Sequence, residues 1–493
     1  MRRFLLPAVV LAVVIAASIQ AGRANDAAEP DERADTTEAA LTTPIFNARR
    51  APEWLRQPTT DDLLDDAVSA ALTGVPDDAP VCLAVRRGGV AITETNATTP
   101  LIPGDLQRLS TLMAFDTVST NGFTTEIVRN AADPVEEGVL QGDLYLIGGA
   151  DPVLSTPGFA GRLEGGVAST SLLDLAADAV EALGDEGITE VAGAIVGVDL
   201  KYADSPQSND PGDGSIWSSA DVASNAVGVV DGLIVDNGLT GFDPESLDPS
   251  ARVRATDPAS HAAGQLEVML ELAGVPVGGF TAGAAPETTV RETLASIESP
   301  PLAAIGRRAL ADATTAEMLY SELGFRSGAA SDLLPLNGFF QVSTALQTSG
   351  LVAEDQVGNF GALDGSGLSL ANRGSCGIAA DILALENTLP VDALTGFVDA
   401  DAAPCVPSGI ESLDVIASAR PEVTAAAGRV TASNGDMISF AVIVNWTPDA
   451  ETGALLERTV CDDVVPALLD AIADHPGGPD LDEITPLPVG DGS

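Results

Sequence analysis

The sequence predicts an α/β (α+β) architecture: an antiparallel sheet flanked by helices and interrupted by an inserted β-rich region. Three observations predict it. Strand signals open near the N-terminus, at Val81 to Val85 and Val90 to Thr93, across an Arg86-Arg87-Gly88-Gly89 turn. Strand signals return near the C-terminus at Gly428 to Thr431 and Ile438 to Asn445, with helical periodicity dominating from Pro301 to Asn387. Between about Gly122 and Ile297, short apolar runs alternate with Gly, Asp and Pro loops, which is the pattern of an insertion.

Taken in order, Met1 to Ala24 has the form of an export signal. Arg2 and Arg3 precede the apolar run Phe4 to Ala17, and Ala21-Gly22-Arg23-Ala24 offers a cleavage site. The run is short for a membrane span, although an uncleaved anchor is the alternative. Residues 25–58 are acidic and rich in Ala, Thr and Pro, and read as a linker. The first part of the main domain is expected over 59–121, with helices at Asp61 to Leu72 and Leu106 to Val118. The insertion is expected over 122–297, with strands at Thr125 to Val128, Leu144 to Ile147, Ala194 to Val198 and Gly232 to Val235. Its helices are expected at Ser171 to Leu183 and Ala262 to Ala273. The main domain resumes over 298–475, with helices at Pro301 to Leu323, Leu336 to Gly350, Cys376 to Asn387 and Arg458 to Ala473. Residues 476–493 read as a disordered tail.

Composition narrows the chemistry. Acidic residues number 72 against 23 basic ones, for a net charge of -49. Such a surface repels nucleic acid and anionic membranes, so neither is an expected partner, and no membrane insertion is expected beyond the N-terminal signal or anchor. Of the basic residues only Lys201 is a lysine, and the histidines are His261 and His475, both expected to be exposed. Lysine- and histidine-based catalysis therefore has few candidate residues. The four cysteines, Cys82, Cys376, Cys405 and Cys461, form no CxxC or Cys/His cluster. They point to disulfides in an oxidising compartment rather than to a metal, with three connectivities open. No cofactor is implied.

Five segments, in order, carry a resemblance. Gly142 to Ser155 reads GDLYLIGGADPVLS, Val230 to Asp236 reads VDGLIVD, and Glu298 to Leu302 reads ESPPL. Asp364 to Ser369 reads DGSGLS with Asn372-Arg373 following, and Val423 to Val430 leads into Phe440 to Asn445. Together they resemble the D-alanyl-D-alanine carboxypeptidase/endopeptidase family, the class C penicillin-binding proteins. The resemblance spans roughly residues 48 to 475. It implies a penicillin-binding/β-lactamase-like transpeptidase fold and a serine peptidase acting on peptidoglycan peptides.

That family works through SxxK, SxN and KTG motifs. Here the stretch matching PASNxKLxT is Pro103-Gly104-Asp105-Leu106-Gln107-Arg108-Leu109-Ser110-Thr111, which puts Asp105 at the nucleophile position and Arg108 at the base position. The two lie one helical turn apart and could form an ion pair, and Asp105 could also cap the helix. The stretch matching SDNxxAExL is Ala311-Asp312-Ala313-Thr314-Thr315-Ala316-Glu317-Met318-Leu319, with Ala311 and Ala313 at the Ser and Asn positions. Counting back from Val423 and Gly428 puts the KTG lysine position at Ile416, with Arg420 a possible carboxylate partner nearby. Ser366 and Ser369 belong to the family's structural turn. The sequence thus predicts no catalytic residue. It predicts an exported, inactive homologue with a binding or scaffolding role in the cell envelope, whose partners are peptidoglycan peptides or cell-wall synthesis proteins. The alternative is an active serine-type D-Ala-D-Ala carboxypeptidase.

Overall fold

The computed structural model describes residues 53–118, 122–161, 168–199, 226–241, 253–328, 334–385, 413–420, 422–433, 435–446 and 459–475. Leu163, Lys201, Trp217, Asp221 and Cys405 are described as single positions between them. The expected signal peptide, nearly all of the linker and the tail fall outside.

The chain opens with helix α1 (Glu53–Leu72), strands β1 (Val81–Arg87) and β2 (Val90–Thr95), and helix α2 (Gln107–Val118). The insertion supplies β3 (Thr124–Asn130), β4 (Leu144–Ile147), α3 (Leu172–Asp185), β5 (Ile195–Val198), α4 (Pro258–Leu272), β6 (Phe280–Ala282) and β7 (Arg291–Glu298). Then follow α5 (Leu302–Ala311), α6 (Ala313–Arg326), α7 (Leu334–Thr348), α8 (Cys376–Ala384), β8 (Leu413–Arg420), β9 (Val423–Thr431), β10 (Met437–Asn445) and α9 (Val465–Ala473).

The main sheet has the order β8-β9-β10-β1-β2 and is antiparallel throughout. Strands from the two ends of the chain are therefore neighbours, β1 pairing with β10 from Val81↔Val444 to Arg87↔Ile438. Because side chains alternate across a strand, the sheet buries both faces. Leu83, Val85, Phe440 and Val442 pack with Leu64 and Val68 of α1 and Leu468 and Ile472 of α9. Cys82, Ala84, Ala425, Ala441 and Ile443 pack with Leu109 and Met113 of α2, Tyr320 of α6, Val342 of α7 and Ile378 of α8.

The insertion has its own sheet, β6-β5-β4-β3-β7, parallel between β6, β5 and β4 and antiparallel elsewhere. Its core joins Ile127, Leu144, Leu146 and Ile195 to Leu175 and Leu183 of α3 and Leu266 and Leu270 of α4. Side chains fix where these helices start: Ser171 accepts from the Asp174 N–H, and Asp257, just before Pro258, accepts from that of Ser260.

Several expectations need correction. Gly232 to Val235 is not a strand. Leu233, Ile234 and Val235 are buried, but Asp236, Asn237 and Gly238 follow at φ 55°, 59° and 69°. Three successive left-handed residues cannot continue a ladder, so the apolar run anchors a loop. The single helix expected over Pro301 to Leu323 is two, broken at Asp312, whose φ -121° and ψ 118° are extended. Helix α1 starts at Glu53, eight residues before the expected Asp61. His475 is not exposed: it is 3% accessible, with Nε2 3.3 Å from both Arg87 Nη2 and Asp61 Oδ1. His261 is half-buried.

Of the three cysteine connectivities, the structure adopts Cys82–Cys376 and Cys405–Cys461. The first joins β1 to α8 across a sequence separation of 294. Replacing Cys82 and Cys376 together by Ser is expected to cost about 2–5 kcal/mol of unfolding free energy. Urea denaturation under oxidising conditions measures it.

Candidate functional site

Asp105 lies inside a 3₁₀ turn, Gly104–Leu106, that leads into α2. It does not cap that turn, whose preceding residue is Pro103. Its Oδ1 is instead 3.1 Å from Arg108 Nη2, the ion pair that a one-turn spacing allows. The Arg108 side chain is 7% exposed. Its Nε donates to the Ser366 carbonyl at 2.9 Å and its Nη1 to the Leu310 carbonyl at 2.7 Å. All three guanidinium nitrogens are thus committed to the protein.

The Ser366 end of this contact is a built turn. Asp364 is fully buried and accepts from Gly367 N, Ser369 N, Ser366 Oγ, Asn372 Nδ2 and Trp217 Nε1 at 2.7–3.1 Å. Glu317 of α6 accepts from the Gly365 and Ser366 N–H groups at 2.9 and 3.0 Å. Burial, then the charge of Asp364, pushes the Glu317 carboxyl up to about 8.

At the α5–α6 break, Asp312 Oδ2 caps α6, accepting from Thr315 N at 2.9 Å, Thr315 Oγ1 at 2.6 Å and Asn237 Nδ2 at 3.1 Å. Arg308, 3% exposed, donates to Asn237 Oδ1 at 2.7 Å and to the Ala168 carbonyl at 3.1 Å. It also faces Asp151, whose carboxyl burial raises to about 6. Asp151, Asp236 and Asn237 come from the insertion, so this polar network ties the insertion to α5 and α6. Ala311 is exposed, and Ala313 packs beside the Trp217, Val227 and Leu368 cluster.

Strand β8 is the edge of the main sheet. Ile416 pairs with Ala427 and is buried in the helical core. Ser418 and Arg420 follow at two-residue spacing, so all three share that face. Ser418 is fully buried and lies against Gly104, where a Cβ would come within 2.5 Å of its Oγ. Gly104, at φ 55°, permits both the approach and the backbone. Arg420 Nη2 donates to both oxygens of Asp221, at 2.8 and 2.9 Å.

Residues 78–246 match the model of the D-Ala-D-Ala carboxypeptidase 3 (S13) family. Over those residues the chain is similar to that family. Among solved structures it is similar to penicillin binding protein 4 (dacB) of Haemophilus influenzae, with a TM-score of 0.56 at 16% identity, over 81% of this chain and 99% of that one. The same protein complexed with a β-lactam matches with a TM-score of 0.50 and the same identity and coverage. At that identity the likeness is one of fold. Among curated proteins, none matches.

In the terms of the S13 family, the fold brings the expected motif positions around one place. Arg108 spans from Asp105 to Ser366 and Leu310, which adjoins Ala311, while Gly104 meets the face of β8 that carries Ile416 and Ser418. Lysine 201 lies elsewhere: Lys201 Nζ donates to Glu322 Oε1 at 2.9 Å and the Gly149 carbonyl at 2.8 Å. His475 is tied to Arg87 and Asp61, and His261 to the neighbourhood of Asp236. Among the described residues, no group of three or more His, Cys, Asp or Glu could hold a metal ion. The S13 motifs led to Asp105, Arg108 and β8. They gave no sign of Trp217, Asp221 or Asn237, because those residues reach the site only through tertiary folding.

Proposed function

We propose that this chain is an exported, non-catalytic relative of the D-Ala-D-Ala carboxypeptidases that serves as a binding or scaffolding component of the cell envelope. The observation that carries the reading is the residue set at the motif positions. Asp105 and Arg108 stand where the family has its nucleophile and base, Ala311 and Ala313 where it has Ser and Asn, and Ile416 where it has Lys.

The chemistry follows from those side chains. A carboxylate attacking an amide would form an anhydride, which is higher in energy than the amide it replaces. An arginine keeps its proton at any physiological pH, so Arg108 cannot act as a base. Neighbouring serines offer no replacement. Ser366 is fully buried and gives its hydroxyl to Asp364, a carboxylate already accepting four other hydrogen bonds. Ser418 is fully buried, without a base beside its Oγ. An unassisted serine hydroxyl is a poor nucleophile.

Export is supported by the N-terminal charged and apolar segment and by the two disulfides. Among the described residues, no helix is long and apolar enough to cross a membrane. The family relationship points to peptidoglycan peptides, or the proteins that build them, as partners.

The test is release of D-alanine from an acyl-D-Ala-D-Ala peptide by the purified mature chain. The expected rate equals that of a buffer blank. Release above the blank that is lost on changing one serine would reverse the reading.

A further inference from the structure

Helix α9 runs out at a buried imidazole. His475 is 3% accessible and lies two residues beyond Ala473, the last helical residue. Its ring and backbone join that end to three other elements. Nε2 is 3.3 Å from Arg87 Nη2, at the end of β1, and 3.3 Å from Asp61 Oδ1 on α1. The His475 carbonyl accepts from the Ser433 N–H at 3.1 Å and from Ser433 Oγ at 3.0 Å, in the turn between β9 and β10. Asp436 of the same turn completes the cluster, with Oδ2 3.6 Å from Arg87 Nε.

The protonation of the ring decides what holds. An arginine donates and never accepts, so a bare Nε2 can take a hydrogen bond from Arg87 and a protonated one cannot. Protonation would also set an imidazolium against a guanidinium at the same 3.3 Å. The carboxylates facing the ring are shared with that guanidinium: Asp61 pairs with Arg87 Nη2, and Asp436 lies beside Nε. Asp65, one turn along α1, accepts from Thr93, and Asp470 and Asp474 near the end of α9 are exposed. Burial and Arg87 together outweigh the pull of Asp61 and Asp436, so the folded ring takes up a proton less readily than a free one.

We propose that His475 is an acid-operated latch on the end of α9. Neutral, it ties that end to β1 and to the β9–β10 turn. Protonated, it releases residues 473–475 and the turn while the sheet behind them stays folded. Opening stops at Ile472, which is fully buried among the core residues of the main sheet. The latch is complete above about 6.5 and weakens as pH falls below it. It is independent of the binding role proposed above, because none of its residues lies at a motif position.

Hydrogen exchange of the full chain, read by mass spectrometry at pH 7.5 and 5.5, tests this. Exchange in peptides covering 432–436 and 472–475 is divided by that of α6, which cancels the pH dependence common to all amides. In wild type the ratio should rise about tenfold at pH 5.5, the factor that each pH unit contributes while only the opened ring takes up a proton. His475→Gln can still accept from Arg87 and has no proton to gain, so its ratio should stay constant. Arg87→Gln removes the facing cation and should diminish the rise, which keeps the test decisive should the first variant fold poorly. A ratio independent of pH in wild type, the same rise in His475→Gln, or an undiminished rise in Arg87→Gln would overturn the proposal.

Discussion

Replacing Arg108 by Leu is expected to destabilise the protein by about 3–5 kcal/mol, measured by urea or thermal unfolding. The reason lies in what the change leaves behind. The Ser366 and Leu310 carbonyls would lose their donors in a buried place, at about 1–3 kcal/mol each. Asp105 would lose its cation, at lower cost, because its side chain is 23% exposed and can be hydrated. Asp105→Asn should therefore cost less than about 1 kcal/mol. Arg108→Lys should fall between, since an ammonium on a flexible stem cannot span three acceptors as a planar fork does. This ordering separates a structural arginine from one kept for a ligand. Unfolding unchanged by Arg108→Leu would mean that the guanidinium is idle in the free protein.

The second large effect is a loss of stability between pH 6.5 and 8. Burial raises Glu317 to about 8, with the charge of Asp364 adding to it. Burial also raises Asp231 to about 8, with Asp199 adding to it. Both carboxyls ordinarily titrate near 4, so at intermediate pH the folded state holds protons that the unfolded state has released. Their contribution is complete below the ordinary carboxyl range and is lost as pH rises through about 8. His261 and His475 act in the opposite sense, because burial lowers both. Their contribution is complete above about 6.5 and is lost as pH falls below it. Between 6.5 and 8 the histidines pass only the upper part of their unfolded-state titration, while both carboxyls give up their folded-state protons, so the carboxyls set the sign there. One pK unit is worth about 1.4 kcal/mol, and each carboxyl should account for about 1–2 kcal/mol over this interval. The net charge of -49 adds self-repulsion in the same direction. Melting temperature followed from pH 6.5 to 8.5 tests this. Glu317→Gln, which still offers an oxygen to Gly365 and Ser366, should flatten the slope.

Much of the main sheet is legible in the sequence, because β1, β2 and β10 carry β-branched and apolar residues bounded by turn residues, while of β9 (VTAAAGRVT) only the end from Gly428 carries a strand signal. Strand β8 is not: LDVIASAR has no apolar alternation, because both of its faces are covered and Ala and Ser pack there as well as larger residues do. Its existence is implied only by the family's motif order. The break at Asp312 is hidden because apolar periodicity runs through it, although an Asp before Ala-Thr-Thr is a capping signal that could have been weighed. The burial of His475 follows from packing against Arg87 and Asp61, hundreds of residues away in the chain, and no local pattern encodes it. The same holds for Trp217 and Asp221. Local sequence specifies elements and motif positions, while the partners that occupy a site are set by the topology.

The central claim is chemical, and intact-protein mass spectrometry after incubation with excess penicillin G tests it most directly. The residues at Asp105, Arg108, Ala311, Ala313 and Ile416 predict an unchanged mass, with no penicilloyl adduct even after prolonged exposure. A stoichiometric adduct mapping to one serine would contradict it.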